Sequence, residues 1–319
     1  MRSKNMKKIK LGFFKSPQGV FTEKVIRNIE EKLKKIDFIE LHTGLDFRDG
    51  HIVNGRVFVN DFDLNTLDVY FWHDAVRASE WNGDSYLLNI LKALENDCLV
   101  INSSESTRIV SDKFLSHNML FANGLPVVDF SLVNTASLDN LRKVFNDFGG
   151  SIVIKPRFGG WGVGVEKIDS QVKLEEFIKK INSSKENLKQ VLIEKYFEND
   201  LTKWVALVVF GNKVLFGYQK KIMSGSDWKI YDPEKKDGKG EYSEYLNPPR
   251  ELQKIALKAK EILGKDIIGF DFIYTKEGYK IVDENGRPGL YASCLEKAGI
   301  NIEDEVISLI LAKIKKLRA

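Results

Sequence analysis

Hydrophobic residues in the first third of the chain follow two periodicities. Short apolar runs typical of strands are separated by segments with apolar side chains at helical spacing. The predicted elements are strands at residues 8–14, 37–41, 67–72 and 98–102, a hairpin at 51–60, and helices at 22–35 and 86–95. Strands that alternate with helices pair in parallel, so this region predicts a small Rossmann-like domain. It has no GxGxxG turn, and a dinucleotide is therefore not implied.

The rest of the chain continues to mix strands and helices. Residues 111–123 are predicted as a helix that stops at Gly124, with Pro126 just beyond it. The other predicted elements are strands at 130–133, 190–196, 204–210, 213–221, 268–274 and 278–283, a strand–glycine loop–strand unit at 151–168, and helices at 138–148, 174–181, 250–263 and 302–316. The expected fold class is α/β (α+β), with domains at residues 1–108, 109–196 and 197–319.

Composition narrows the classes of function. The 319 residues carry 49 Lys+Arg against 45 Asp+Glu, and this mild excess without a dense basic stripe gives no reason to expect a nucleic-acid partner. No apolar run approaches the roughly 18 residues of a membrane span. Cys98 and Cys294 cannot build a disulfide framework, and the four histidines lack zinc-site spacing. We therefore expect a cytoplasmic protein without a membrane partner.

The strongest local motif is a lysine followed by a glycine-rich turn. An apolar strand delivers Lys155, and glycines then occupy positions 159, 160, 162 and 164 before a second strand begins. Glycines let the backbone approach an anion, and their N–H groups can cradle phosphate beside a lysine charge. A flexible hairpin with one exposed lysine has the same pattern, and the GxxxxGK[ST] form of a P-loop is absent.

A second motif places acidic and amide side chains on two late strands. Asp271 lies in an apolar strand, and Asp283 and Asn285, two positions apart, share one face of the next strand. Three oxygen ligands on one surface suit Mg²⁺, which also takes phosphate oxygens. Ion pairs with the many lysines of the chain are the alternative interpretation.

The order of these motifs resembles the ATP-grasp superfamily, and within it the RimK-type carboxylate–amine ligases. Asp112-Lys113 precedes the strand lysine and glycine hairpin, and a strand ending at residues 194–197, a lone strand Asp271 and the run 283–289 follow. The likeness covers about residues 67–310, and residues 1–65 match by topology only. The resemblance implies an ATP-grasp fold with an N-terminal Rossmann-like pre-ATP-grasp domain, a central lobe and a C-terminal lobe that holds the metal.

The resemblance also implies roles for individual residues. Lys113 and Lys155 would hold ATP, and Lys229 falls where relatives place an arginine near the phosphates. The loop that would close over the β- and γ-phosphates contains Gly159, Gly160, Trp161, Gly162 and Gly164. The side chain of Glu194 and the backbone of Lys195 and Tyr196 would meet adenine. Asp271, Asp283 and Asn285 match the ligands of Mg²⁺, with Mn²⁺ as an alternative ion.

The sequence departs from the family pattern in two places. The metal motif is usually Glu-x-Asn, whereas here it is Asp283-Glu284-Asn285, so the metal shifts or Glu284 takes part. The family's Asp-x-Arg after the adenine strand is replaced by Trp204 and Ala206. Glu198 or Asp200 is then expected to serve the ribose, and the usual amino-acid substrate is put in question.

The implied reaction is ATP-dependent amide or peptide bond formation through an acyl phosphate. Phosphoryl transfer needs mainly positioning and charge neutralisation, and no covalent enzyme nucleophile. Arg287 is expected to hold a substrate carboxylate or stabilise the oxyanion. His73 and Arg77 lie at the end of a predicted strand and are candidate contacts for the acceptor, with a surface loop of ordinary charges as the alternative interpretation. The expected partners are carboxylate and amine substrates, either small molecules or peptides, and a homo-oligomer is left open. Alternatives are a dipeptide or glutathione-type ligase and a non-catalytic ATP-binding regulatory module.

Overall fold

The predicted apolar runs form strands, and the helical spacings form helices, in a computed structural model that describes residues 7–73, 86–135, 137–160, 162–183, 190–220, 228 and 243–318. The strands are β1 (Ile9–Lys15), β2 (Ile39–Thr43), β3 (His51–Val53), β4 (Arg56–Val59), β5 (Phe62–Asp63), β6 (Val69–His73), β7 (Leu99–Ile101), β8 (Phe130–Asn134), β9 (Ile152–Lys155), β10 (Glu166–Ile168), β11 (Gln190–Lys195), β12 (Val205–Phe210), β13 (Lys213–Lys220), β14 (Ser243–Leu246), β15 (Ile267–Thr275) and β16 (Gly278–Asn285). The helices are α1 (Glu23–Lys34), α2 (Tyr86–Leu94), α3 (Ser104–Ser111), α4 (Lys113–Ala122), α5 (Leu138–Asp147), α6 (Gln171–Ser183), α7 (Arg250–Leu263), α8 (Ala292–Lys297) and α9 (Ile302–Arg318).

The N-terminal sheet has the strand order β2-β1-β6-β7, and its strand pairs are parallel. Parallel strands need crossover connections, which α1 and α2 provide. Thr22 caps α1 by accepting the N–H of Val25, and the helix buries Ile29 and Leu33 beneath the sheet. The predicted Rossmann-like arrangement is confirmed, and the predicted hairpin is present as β3 and β4, extended by β5.

Two antiparallel sheets follow in the rest of the described chain. The central sheet has the order β10-β9-β11-β8 and packs its apolar face on α5 and α6. The C-terminal sheet has the order β14-β13-β12-β15-β16, with α7 on one face and α8 and α9 on the other. The inner strands are almost continuous runs of apolar residues because both faces of this sheet are covered.

The predicted start of the helix at residues 111–123 is wrong. Two helices meet at Asp112, and the second of them, α4, begins at Lys113. Asp112 has extended backbone angles, and its carboxylate accepts the N–H groups of Phe114 and Leu115 as the N-cap of α4. The preceding α3 was not predicted, since its eight residues include only two large apolar side chains, Ile109 and Val110. The short elements β14 and α8 were also missed.

The two faces of the N-terminal sheet belong to different hydrophobic cores. On one face, Tyr70, Trp72 and Val100 pack with α2 and with β4 in a cluster made only of N-terminal residues. On the other face, the buried residues of the sheet join those of α9 and of β12 and β13 in one cluster. The side-chain oxygen of Asn102 accepts the N–H groups of Asp266 and Ile267 at 2.9 and 3.0 Å, which fixes the end of β7 against the start of β15. Each of the three main sheets falls within one of the ranges 1–108, 109–196 and 197–319, and we propose these ranges as domains. One contact crosses the second boundary, because Val127 and Val128 run beside β16 of the third range.

Two further properties concern the length of the helices and the state of the cysteines. No helix in the described ranges is long and apolar enough to cross a membrane. Cys98 and Cys294 are both buried thiols, as expected of cysteines that pack as small hydrophobic side chains.

Candidate active site

Two adjoining cavities open where the three sheets meet. We call the first the inner cleft: it lies between the central and C-terminal sheets and has a volume of about 200 Å³. The second, the outer cavity of about 530 Å³, lies between the glycine-rich turn, the N-terminal sheet and the turn after β16. Residues that line both are Lys113, Gly159, Gly160, Gly162, Asp271 and Asp283. A molecule in one cavity can therefore meet a molecule in the other at these residues.

Apolar side chains from both sheets line the floor and walls of the inner cleft. They are Val128, Val153, Val165, Phe197, Ile273 and Val282. Trp204 and Trp228 also line the cleft. An apolar slot with polar groups at one end suits a flat aromatic ring that carries a charged tail.

The glycine-rich turn joins β9 to β10 at the mouth of this cleft. Gly159, Gly162 and Gly164 have φ values of +110°, +67° and +70°, which residues with a side chain rarely adopt. A Cβ at Gly164 would also lie 2.8 Å from Cγ of Pro156. The glycines are therefore required by the backbone path, and the turn lines both cavities. Trp161, which was predicted to belong to this loop, lies outside the described residues, and so does Lys229.

Lys155 and Lys113 come together from β9 and α4, and each is held by a carboxylate. Nζ of Lys155 lies 2.7 Å from Oε2 of Glu194 and donates to the carbonyl of Val282 at 2.8 Å. Nζ of Lys113 lies 2.8 Å from Oδ1 of Asp283. Burial alone would lower the pKa of Lys113, but Asp283 outweighs it and raises that pKa. Both lysines line the inner cleft as cations.

A buried histidine that sequence reasoning missed lies behind these lysines. His117 is fully buried on α4, with Nδ1 2.9 Å from Glu284 and Nε2 3.1 Å from Glu194. Burial by itself lowers the pKa of His117, but the two carboxylates outweigh it and raise that pKa to about 9. The available signal was the spacing of four residues from Lys113, which puts both side chains on one side of α4.

Asp112 and Arg157 join the start of α4 to the glycine-rich turn. Arg157 donates from Nε to Oδ1 at 2.8 Å and from Nη2 to Oδ2 at 2.6 Å, so the pair is bidentate. The N–H of Lys113 also donates to the carbonyl of Arg157 at 3.1 Å. Arg157 is a second residue that sequence reasoning missed, and its contacts keep Lys113 beside the turn.

The three predicted metal ligands lie on adjacent strands. Asp271 pairs directly with Asp283 across β15 and β16, and Asn285 lies two residues further on the same face. All three line the outer cavity, and Asp271 and Asp283 also line the inner cleft. Burial would raise the pKa of Asp283, but Lys113 and Lys155 lower it to about 2, so this carboxylate is ionised.

The donor set fits a hard divalent cation. Two carboxylates and an amide oxygen are the ligand types that Mg²⁺ prefers. Oδ1 of Asn285 accepts the N–H of Arg287 at 2.9 Å, and a carbonyl oxygen keeps a second lone pair for a metal. In the described ranges no three His, Cys, Asp or Glu side chains are grouped so that they could hold a metal ion.

The carboxylate of Glu284 is directed away from Asp283 and Asn285. Its side chain points to the opposite face of β16, is almost fully buried, and accepts from Ser116 at 2.7 Å as well as contacting His117. The alternation of a strand separates it from its neighbours in sequence. Of the two alternatives for the metal motif, this orientation does not favour Glu284 as a ligand, and the metal ligands stay a prediction.

The residues predicted to contact adenine line the inner cleft, but their polar groups are already engaged. The side chain of Glu194 is occupied by Lys155 and His117, and although burial would raise its pKa, these cations lower it. The N–H groups of Lys195 and Tyr196 donate to the carbonyls of Asp129 and Ser151. Because these N–H groups are engaged, the backbone of the two residues would contact adenine through carbonyl oxygens.

The structure places the two residues expected to serve the ribose away from the lining of the inner cleft. Glu198 is exposed beside Lys276, and Asp200 caps the turn at Thr202, so neither lines the inner cleft. Asn199 between them does line it, and its buried Oδ1 has no hydrogen-bond partner among the described residues. Of the two positions that depart from the family pattern, Trp204 lines the cleft and Ala206 is buried opposite Asp271.

The outer cavity is rich in basic groups. Lys15 and His73, at the ends of β1 and β6, line it together with Lys265 and Arg287. Burial, together with the charges of these three cations, holds the pKa of His73 well below its usual range. Lys15, Lys265 and Arg287 make this part of the cavity basic, which favours anionic ligands there, whereas Asp271 and Asp283 line the part shared with the inner cleft. Arg77, the other residue expected to contact the acceptor, lies outside the described residues.

The chain is similar to a family model, to curated proteins and to solved structures. A family model, described as the RimK-like ATP-grasp domain, matches residues 110–310. The chain is 29% identical over 256 residues to tetrahydromethanopterin:alpha-L-glutamate ligase of Methanocaldococcus jannaschii, covering 79% of this chain and 82% of that protein. It is 22% identical over 210 residues to glutamate–LysW ligase ArgX of Sulfolobus acidocaldarius, covering 66% and 72%. The ATP-grasp ligase PsnB, solved with minimal precursor, Mg and ADP, shares the fold with a TM-score of 0.63 and 14% identity, covering 98% of this chain and 99% of that one.

Proposed function

This chain belongs to the RimK-like ATP-grasp family and is an ATP-dependent ligase that forms a C–N bond, and from that premise we propose which groups bind each substrate. The observation that carries the proposal is the pair of cavities that share Lys113, Asp271, Asp283 and the glycine-rich turn. One cavity has the apolar slot and lysines of a nucleotide site, and the other has the basic lining of an acid site.

The inner cleft is the proposed site of ATP. Its apolar walls would hold adenine, Asn199 would accept a hydrogen bond from a ribose hydroxyl, and Lys113 and Lys155 would contact phosphate oxygens. The N–H groups of Gly159, Gly160, Gly162 and Gly164 would cradle the β- and γ-phosphates. Trp161 and Lys229 remain proposed members of this site on sequence grounds alone.

Asp271, Asp283 and Asn285 are the proposed holders of Mg²⁺, with Mn²⁺ as the alternative. A bound cation would neutralise the charge that develops on the phosphates during transfer. Because Lys113 contacts Asp283 directly, its ammonium group would move toward the phosphates when a metal takes that carboxylate. Lys155 keeps its orientation through Glu194 and the carbonyl of Val282.

The outer cavity is the proposed site of an acidic substrate. Two relatives are named as glutamate ligases, and we propose L-glutamate as the amine donor and a carboxylate-bearing coenzyme, peptide or protein as the acceptor. The acceptor carboxylate would attack the γ-phosphate to give an acyl phosphate and ADP, and the amine would then displace phosphate to form the amide. Arg287 would hold a substrate carboxylate or stabilise the oxyanion of the second step.

The proposal is tested by measuring ADP formation with each amino acid and a panel of acidic acceptors, with mass spectrometry of the products. We expect an acceptor that gains one glutamyl residue, with one ADP and one phosphate released per bond. Arg287→Ala should raise the KM for the acidic substrate and leave the KM for ATP unchanged. Arg250→Ala, an exposed arginine at the start of α7, is the matched control. ADP formation without any carboxylate–amine product would refute the proposal.

The cytoplasm is the proposed location. It is supported by two buried thiols and by a described chain without a membrane-spanning helix.

A further inference from the structure

His117 is a buried cation between two carboxylates. Its Nδ1 lies 2.9 Å from Oε2 of Glu284 and its Nε2 lies 3.1 Å from Oε1 of Glu194, and the ring is fully buried. Each ring nitrogen therefore lies within hydrogen-bond distance of a carboxylate oxygen. Only the positively charged imidazolium donates from both nitrogens, so this geometry favours that form.

The two carboxylates connect His117 to both halves of the proposed phosphate site. The other oxygen of Glu194, Oε2, holds Nζ of Lys155 at 2.7 Å. Glu284 lies between Asp283 and Asn285 in β16; it is among the residues that line the outer cavity, and its carboxylate is held by Ser116 and His117 of α4. His117 itself lines neither cavity. Any effect of His117 on a ligand must therefore pass through these neighbours.

The charges in this described cluster balance. Lys113, Lys155 and His117 supply three positive charges, and Glu194, Asp283 and Glu284 supply three negative charges. Loss of the His117 charge leaves one net negative charge behind the two lysines. In a buried site this charge is poorly screened, so it would repel a phosphate group in the inner cleft.

We propose that His117 is a positioning residue whose fixed charge neutralises Glu194 and Glu284, so that the positive charges of Lys155 and Lys113 remain available to a triphosphate. The inference rests on the proposed binding of ATP in the inner cleft. It predicts that affinity follows the net charge of the cluster, whichever residue sets that charge.

The test compares His117→Gln, Glu284→Gln and the double variant by calorimetry with MgATP and with adenosine, which lacks phosphates. We expect His117→Gln to weaken MgATP binding about tenfold and to change adenosine binding by less than about twofold. Glu284→Gln should bind MgATP as tightly as the wild type or more tightly. The double variant restores charge balance and should return to within about threefold of the wild type.

Ser116→Ala is the matched control, because it removes a hydrogen bond from an uncharged donor to the same oxygen of Glu284 and leaves the charges of the cluster unchanged. It should leave both affinities within about twofold. A purely structural role predicts instead that both single variants weaken both ligands and that the double variant does not recover, and this result would overturn the inference. If His117→Gln does not fold, the two other variants still decide the inference. Glu284→Gln should bind MgATP at least as tightly as the wild type, and the double variant should bind it within about threefold of the wild type. A wild type that binds neither ligand would overturn the proposed nucleotide site and this inference together, whereas wild-type affinity in every variant would overturn the inference alone.

Discussion

Protonation of His117 should make the stability of the fold depend on pH. The pKa of His117 is about 9 in the folded chain, against 6.5 for an ordinary histidine, because Glu284 and Glu194 outweigh the effect of burial. A pKa raised by folding adds stability that is complete below about pH 6.5 and is lost as the pH rises through 9. At about 1.36 kcal/mol per pKa unit, the difference corresponds to about 3 kcal/mol.

The assay is urea unfolding at a series of pH values from 6 to 9.5, followed by tryptophan fluorescence. We expect the wild type to lose about 3 kcal/mol more of its free energy of unfolding over this range than His117→Gln, which lacks the titrating group. His51→Gln is the matched control, since this histidine is exposed on β3, and it should show the pH dependence of the wild type.

A direct measurement avoids the risk that a buried charge deletion prevents folding. Titration of the His117 imidazole by NMR in the folded wild type should give a pKa near 9, with both ring nitrogens protonated at pH 7. A pKa at or below 6.5, or a neutral ring at pH 7, would refute the reasoning, because the two carboxylate contacts would then not hold an imidazolium.

Three further predictions address the site. Lys155→Met should weaken ATP binding about tenfold to a hundredfold, since a charge-assisted contact contributes about 1.5–3 kcal/mol. An unchanged affinity in calorimetry would show that Lys155 does not bind the phosphates. Asp283→Asn should lower kcat more than it lowers ATP affinity, because neutralisation by the metal matters most during transfer; wild-type turnover at saturating Mg²⁺ would exclude this residue as a ligand. A double-mutant cycle on Asp112→Asn and Arg157→Met should give a coupling energy of about 1.5–3 kcal/mol in unfolding, as for a partly buried bidentate pair, and additive effects would contradict the link between α4 and the turn.

The local pattern of apolar and polar residues was sufficient to predict most of the helices and strands. The spacing of Ile29 and Leu33 predicted α1, and the alternation of strands and helices predicted the parallel N-terminal sheet. The glycine-rich turn was also predictable, because the positive φ values at Gly159 and Gly164 are a local requirement of the backbone. The start of α4 was misplaced because Asp112 acts as an N-cap only when the chain turns there, which residue types alone do not specify.

The sequence by itself determined which residue types reach the site, and the tertiary structure decided which of them act together. Asp283, Glu284 and Asn285 are consecutive, yet the pleat of β16 sends Glu284 to the opposite face, where α4 brings His117 against it. Glu194 was predicted to contact adenine, but it lies between His117 and Lys155 because β9 and β11 are neighbours in the central sheet. Periodicity depends on residues a few positions apart and can be read along the chain. A buried charge must find its partner in space, so pairs more than 70 residues apart are fixed only when the sheets and helices pack.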